Sequence, residues 1–299
     1  MNDTFLGFEV LPLDMWIQQG VDLFVGNYRP VFQLMRIPIE YLLTWLNQGL
    51  AATPQVLVIL VLAALGTWRR GWRFGLFAAA SAFAMGWIGL WNESMTSISV
   101  VATSVVFAAL LGMPLGILLS ESQRAWRIAK PLLDIMQTTP SFVYLVPVVM
   151  LFGIGTVPGT IATVVFATPP LVKLTYLGLV KVPVESTEAG LAFGATRLQL
   201  LVHVKLPLAL DTIRAGINQT IMLAIVMSSI AAMIGAEGLG LVVLRGIARL
   251  DVGMAATGGF CLVLLALVMD GLTQSAAHKG QSPLAHLLGQ MRRRQPTPA

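Results

Sequence analysis

Few residues in this chain are of a type that does chemistry, and their spacing rules out most of it. The three histidines, His203, His278 and His286, lack the spacing of a metal site and read as surface or membrane-interface residues. No Ser/His/Asp arrangement occurs with any specificity, and there is no G-x-x-x-x-G-K-[ST] loop to cradle a nucleotide. No catalytic residue, metal ligand or bound cofactor is therefore assigned. The single cysteine, Cys261, sits in an apolar run, cannot form an internal disulfide and reads as packing. What is left is noncovalent chemistry.

Recognition concentrates in Val184–Pro207, V-E-S-T-E-A-G-L-A-F-G-A-T-R-L-Q-L-L-V-H-V-K-L-P, a polar stretch between two long apolar runs. Pro183 opens a helix, and Glu185 and Glu188 place negative charge in its first turn, where the macrodipole favours it. Ala189, Gly190 and Gly194 keep its surface small, so that another backbone can approach closely. Thr196 caps a second short helix, which Pro207 interrupts before the next apolar run. A short helix with an Ala/Gly face at a membrane surface is shaped for a groove in a partner.

The elements that position this segment belong in a bilayer. The chain is 56% hydrophobic and 11% charged, with a mean hydropathy of +0.79, where a soluble domain carries about 25% charged residues. Its net charge of +5 comes from basic residues flanking apolar runs, at Arg69–Arg70, Arg73, Arg124, Arg127, Lys130, Lys181, Arg197 and Arg292–Arg294. That is a topology signal and not a nucleic-acid patch. Apolar runs fall at 51–68, 72–91, 98–119, 142–152, 160–179, 213–234 and 254–269, which gives about seven spans, with six or eight open. The fourth run is short; either it extends back through Met136–Ser141 or Pro140 and Pro147 break it.

With the Glu188 segment in the cytosol, about seven spans place the N-terminus outside and the C-terminus inside. The outside segments then hold Asn92–Ser94, Gly153–Pro158 and an acidic start with Asp3, Glu9, Asp14, Asp22 and Glu40. The 235–253 loop, with Arg245 and Arg249 against Glu237 and Asp251, fits least well. Between Met15 and Leu46 apolar residues recur at helical intervals (Trp16, Val21, Phe24, Val25, Phe32, Met35, Tyr41, Leu42, Trp45). They read as amphipathic helical pieces, interrupted by Pro30 and Pro38, that lie on the membrane or pack on the bundle. The first fifty residues lack the layout of a cleavable signal peptide.

For a solute path, polar residues inside the bilayer must face protein or water. Gln137, Thr138, Thr139, Pro140 and Ser141 lead into the fourth run, followed by Tyr144; Asn218, Gln219 and Thr220 lie near the start of the sixth. Pro169–Pro170 should kink or unwind the fifth run and free carbonyls to line a cavity. For each polar residue the alternative is a hydrogen bond gluing helices together.

The spacing from Glu188-Ala189-Gly190 through Gly194 to Val204, Leu206 and Pro207 resembles the EAA loop of permeases of ATP-binding-cassette (ABC) importers. Gly190 stands where that pattern usually has a second Ala, at about 1 kcal/mol of helix propensity, and Val204 where it usually has Ile. Met136–Gly155, Ala215–Ala224, Gly238–Gly253 and Arg29–Tyr41 are similar to glycine betaine/proline betaine permeases, so the likeness spans most of 12–275. It implies an all-α integral membrane protein of the type I importer permease fold, with an outer or interfacial N-terminal segment (1–50), a permease domain (51–275, coupling loop 183–207) and a basic cytoplasmic tail (276–299). It further implies a homodimer in the inner membrane, a cytosolic ATPase that binds the ATP and Mg, and an extracytoplasmic binding protein delivering a quaternary amine. Glu185, Glu188, Ala189, Gly190, Gly194, Leu206 and Pro207 would then couple to the ATPase. Choline or carnitine is the alternative cargo, and an ATP-independent secondary transporter the alternative class. The near absence of ionisable residues in the spans argues against the latter.

Overall fold

A computed structural model describes residues 4–5, 8–9 and 13–273. The basic tail 276–299, with Arg292–Arg294, His278 and His286, lies outside the described residues, as do Asp3 and the side chains of Glu9, Asp14, Val21, Asp22, Phe24, Val25 and Arg29. Apart from an antiparallel pair of two-residue strands, Thr4–Phe5 and Phe8–Glu9, the regular structure is helical.

The centre of the bundle is α7 (Thr156–Val180), flanked by α4 (Trp91–Ser120) and α10 (Leu206–Ile230). Small residues set the spacing. A Cβ built on Gly116 of α4 would lie 2.6 Å from Thr175 Cβ and 2.8 Å from the Val172 carbonyl, so only glycine permits this crossing. Half of the buried hydroxyls among the described residues donate back within their own helix. Ser99 donates to Met95 O at 2.9 Å, Thr163 to Gly159 O at 2.8 Å and Thr220 to Gly216 O at 2.9 Å. Cys261, on α12 (Val252–Thr273), is buried in an apolar cluster with Met85, Met95 and Leu265.

Among the described residues four helices are long and apolar enough to cross a bilayer: 91–120, 156–180, 197–234 and 252–273; two sharply bent pairs raise this to six. The bent pairs account for part of the difference from about seven spans. One joins residues 32–52 of α1 (Leu13–Ala52) to α2 (Gln55–Arg70) through 108°. The other joins α5 (Gln123–Thr138) to a 3₁₀ turn (Ser141–Tyr144) and α6 (Leu145–Phe152), also through 108°. Its break falls at Thr139, whose extended ψ of 129° is what a following proline imposes. Pro147 breaks nothing: it sits inside the continuous run formed by the 3₁₀ turn and α6. The hairpin helices α2 and α3 (Trp72–Trp87) have 16 residues each, about 24 Å, short of the hydrocarbon core.

Four expectations are corrected. Pro30 and Pro38 do not interrupt α1, a continuous helix of 40 residues. Its second half packs on the bundle: Ile39 and Leu43 are buried, Phe32 meets Phe152 edge-on, and Gln33 Nε2 donates to Leu151 O at 3.2 Å. The opposite face leaves Leu34, Met35, Ile37, Tyr41 and Trp45 exposed, as befits lipid. Pro169 and Pro170 do not unwind α7; both are buried in an unbroken helix held between α4 and α10. The 235–253 segment is not a plain loop but contains α11 (Leu239–Ala248), and Asp251 Oδ1 accepts from Met254 N to start α12. Pro207 does not interrupt the helix that Thr196 starts.

Candidate coupling segment and membrane polar clusters

Beyond Lys181 the chain turns at Pro183 into α8 (Val184–Ala192). Glu185 lies in its first turn, as expected; Glu188 is one turn further on, outside the N-terminal dipole site the sequence assigned it. Gly194 also differs in role. It has φ +79° and nothing within 4 Å of where a Cβ would sit, so it makes no close approach. It is the left-handed residue that ends α8: Gly194 N donates to Leu191 O at 2.9 Å and Ala195 N to Gly190 O at 3.1 Å, the paired bonds of a Schellman cap. Gly190, the departure from the EAA pattern, faces inward. A Cβ there would be 2.8 Å from Leu200 Cδ1, so glycine lets α8 fold back on the next helix.

That helix, α9 (Arg197–Leu200), opens with a capping box. Thr196 Oγ1 accepts from Gln199 N at 3.3 Å and Gln199 Oε1 accepts from Thr196 N at 2.9 Å. It continues through a π turn, Leu201–Lys205, straight into α10. Leu206 N bonds back to Leu201 O, five residues away, which widens the helix just where Pro207 would clash with an ordinary turn. The resulting rod of 38 residues is about 57 Å long, roughly twice the hydrocarbon core. Upright, a rod of that length extends beyond the hydrocarbon core. Lys205 Nζ reaches Glu121 Oε1, at the end of α4, at 3.4 Å, and His203 Nδ1 lies 3.2 Å from Gln199 O. On the outside of the segment Phe193 is 93% exposed, with Val184, Leu191 and Leu198 also bare, among the exposed carboxylates Glu185 and Glu188. Together they form an exposed apolar patch with an acidic rim.

The polar residues proposed for a path separate into two places. Lys173 of α7 pairs with Asp134 Oδ1 at 2.5 Å and bonds Gln137 Oε1. Tyr144 donates to Met136 O and sits edge-on to Phe166, ring centroids 5.7 Å apart. Trp126 stacks on Tyr176 at 3.6 Å, so α5 is tied to one side of α7 by charge and by rings. Thr138 and Thr139 return their hydroxyls to Ile135 O; Pro140 is exposed. Asn218 is elsewhere, donating to Asp270 Oδ1 at 3.1 Å and accepting from Thr273 Oγ1 at 2.6 Å, which bridges α10 to α12. Gln219 is exposed, and Thr220 is buried with its hydroxyl bonded within α10. Among the described residues no cluster of His, Cys, Asp or Glu fit for a metal ion occurs.

Sequence reasoning passed over Lys173 with Asp134, Lys205 with Glu121, and Phe193. An ionisable residue in an apolar helix must find a partner. That rule pointed from Lys173 to the preceding amphipathic helix.

Residues 108–278 match the family described as binding-protein-dependent transport system inner membrane component. The chain is 48% identical over 273 residues to the glycine betaine/proline betaine transport system permease protein ProW of Escherichia coli (strain K12), covering 91% of this chain and 77% of that protein. It is 38% identical to the glycine betaine transport system permease protein OpuAB of Bacillus subtilis (strain 168), over 91% of this chain and 96% of the relative. Against the glycine betaine/carnitine transport permease protein GbuB of Listeria monocytogenes serotype 1/2a (strain 10403S) the identity is 39%, over 91% and 98%. A chain from inward-facing crystals of the MetNI methionine ABC transporter superposes with a TM-score of 0.58, covering 63% of this chain and 94% of that one, at 22% identity. That likeness concerns the fold.

Proposed function

Because this chain belongs to the family of binding-protein-dependent inner membrane components, and is thus the multi-pass permease of an ABC importer whose ATPase is a separate subunit, we propose that its cargo is a quaternary-amine osmolyte, glycine betaine or proline betaine. The observation that carries the cargo is the 48% identity to a glycine betaine/proline betaine permease over 91% of the chain. The relative whose name includes carnitine makes that amine the rival substrate.

In this reading two copies of the chain form the pathway, with N-termini outside and C-termini in the cytosol. An extracytoplasmic binding protein delivers the amine, holding its ammonium by cation–π attraction. The ATPase receives α8 and the exposed Phe193. Closure of the ATPase moves that segment, and the π turn passes the motion into α10. Such coupling requires contacts that differ between two states.

The test is ATP-driven uptake of labelled glycine betaine into liposomes holding the chain, its ATPase and its binding protein, with Gly194→Val in parallel. Valine at φ +79° is strained by about 1–3 kcal/mol and should loosen the end of α8 while the spans still insert. Uptake by the native chain that falls sharply in the variant supports permease and coupling together. Hydrolysis stimulated by the binding protein without betaine uptake discards the cargo. Neither activity, with all parts folded, refutes the reading.

A further inference from the structure

The turn between α2 and α3 carries three arginines and two tryptophans in six residues, Trp68-Arg69-Arg70-Gly71-Trp72-Arg73. Trp68 and Trp72 are 79% and 68% exposed, and all three arginines are exposed. Each guanidinium lies over a ring: Arg69 over Trp68 at 5.8 Å, Arg70 over Phe74 at 5.5 Å and Arg73 over Trp72 at 5.7 Å. The frame beneath is tight. Gly71 turns with φ +96°, and a Cβ on Gly75 would lie 2.7 Å from Ala63 O, so the two helices are clamped at their ends.

Folding alone does not account for this arrangement. Arg69 and Arg70 suit the C-terminal turn of α2, but Arg73 stands in the first turn of α3, where the dipole repels a cation, and no acidic residue relieves it there. From Gln55 to Trp91 the sequence has no Asp or Glu. Among the described residues neither Arg69 nor Arg73 makes an ion pair; Asp270, on the adjoining α12, accepts from Asn218. Topology needs only positive charge on the correct side, not guanidiniums laid on indoles. Exposed tryptophans at a helix end set the turn at headgroup depth. A guanidinium covered on one face by a ring keeps its N–H edge for a phosphate, in the bidentate geometry that arginine favours.

We propose that this turn binds the phosphodiester headgroup of an anionic phospholipid, with Arg69 and Arg73 as ligands and Trp68 and Trp72 as anchors. The test is native mass spectrometry of the full chain with phosphatidylglycerol or phosphatidylcholine added. The native chain should prefer the anionic lipid. Arg69→Gln with Arg73→Gln should weaken that lipid about five-fold per arginine, the fold-change of roughly 1 kcal/mol for each basic group at a membrane surface. The neutral lipid should be unaffected. Arg124→Gln with Arg127→Gln, on α5, should lower the preference less than the Arg69/Arg73 variant does. Equal loading of the two lipids overturns the proposal. So does a preference unchanged in the Arg69/Arg73 variant, or lowered equally by the Arg124/Arg127 variant. Should the glutamine variant fail to insert, Arg69→Lys with Arg73→Lys keeps the topology signal. It should retain a weakened preference that falls further at high salt, and a preference indifferent to salt overturns the proposal.

Discussion

Deleting Val202 tests whether the π turn sets the aim of the coupling segment. Val202 is 46% exposed, so its loss opens no cavity. Removing one residue converts a bond spanning five residues into one spanning four, which rotates everything N-terminal to it by about 100° and draws it in by about 1.5 Å. At a side-chain radius of about 5 Å that rotation displaces a docking side chain by about 8 Å. Phe193, almost wholly bare, would then miss the pocket that the proposed docking requires. Burying such a side chain contributes about 1.5–3 kcal/mol, so assembly with the ATPase should weaken at least about ten-fold. Pro207 would meanwhile be forced into a regular helix at about 3 kcal/mol, which a second variant adding Pro207→Ala relieves. Both variants should insert, and both should lose most betaine uptake and most hydrolysis stimulated by the binding protein, assayed in the same liposomes. Uptake within about two-fold of native in the deletion, on the order of the scatter expected of intact coupling, refutes the reasoning. Uptake restored by Pro207→Ala refutes it too, since a kink and not a rotation would then have been the cause.

Three further outcomes are expected. Gly116→Ala should lower the melting temperature, because its Cβ would meet Thr175 Cβ at 2.6 Å and a backbone carbonyl at 2.8 Å; overpacking of this kind costs about 1–3 kcal/mol, and an unchanged melt would show that α4 and α7 part freely. Asn218→Leu removes the bridge to Asp270 and Thr273 and should destabilise by about 1–3 kcal/mol without altering the apparent KM for betaine. A raised KM at intact stability would return Asn218 to the pathway. With the buried Cys261 silent, a membrane-impermeant maleimide on intact cells should label Asn92→Cys and spare Phe193→Cys; the reverse pattern would invert the topology.

The prolines show where the sequence was legible and where it was not. Pro30, Pro38, Pro140, Pro147, Pro169, Pro170 and Pro207 were read as breaks or kinks, yet of these only Pro140 stands at a break, because it forces Thr139 into an extended conformation. Pro169 and Pro170 persist inside α7 because both are enclosed by neighbouring helices, and packing there outweighs the lost hydrogen bonds. Nothing in the structure explains why Pro131 passes through α5, a helix without a fully buried residue. Local signals fared better: Pro183 before α8 and Thr196 with its capping box are written in residue types a few positions apart. The Schellman cap at Gly194 was legible in principle, as a glycine just past a short helix, but was taken for a packing face. The π turn was not legible, since it occupies only five residues, too few for its phase shift to stand out in the apolar periodicity.

The same distinction bears on how a push at α8 would travel. A short surface helix on a flexible loop would dissipate it. Here Gly190 lets α8 rest on Leu200, the capping box fixes the start of α9, and the π turn joins that helix to α10 without a gap. A displacement of α8 would thus be passed toward α10, which Lys205 and Glu121 link to the end of α4. Both helices lie against α7, where glycines leave no slack: Gly116 meets Thr175, and a Cβ on Gly178 would sit 3.1 Å from Thr212 Cβ. Close-packed interfaces shift between discrete arrangements instead of deforming gradually. The tightness that Gly116→Ala would violate is therefore what would let a small movement at α8 become a change of state across α4, α7 and α10.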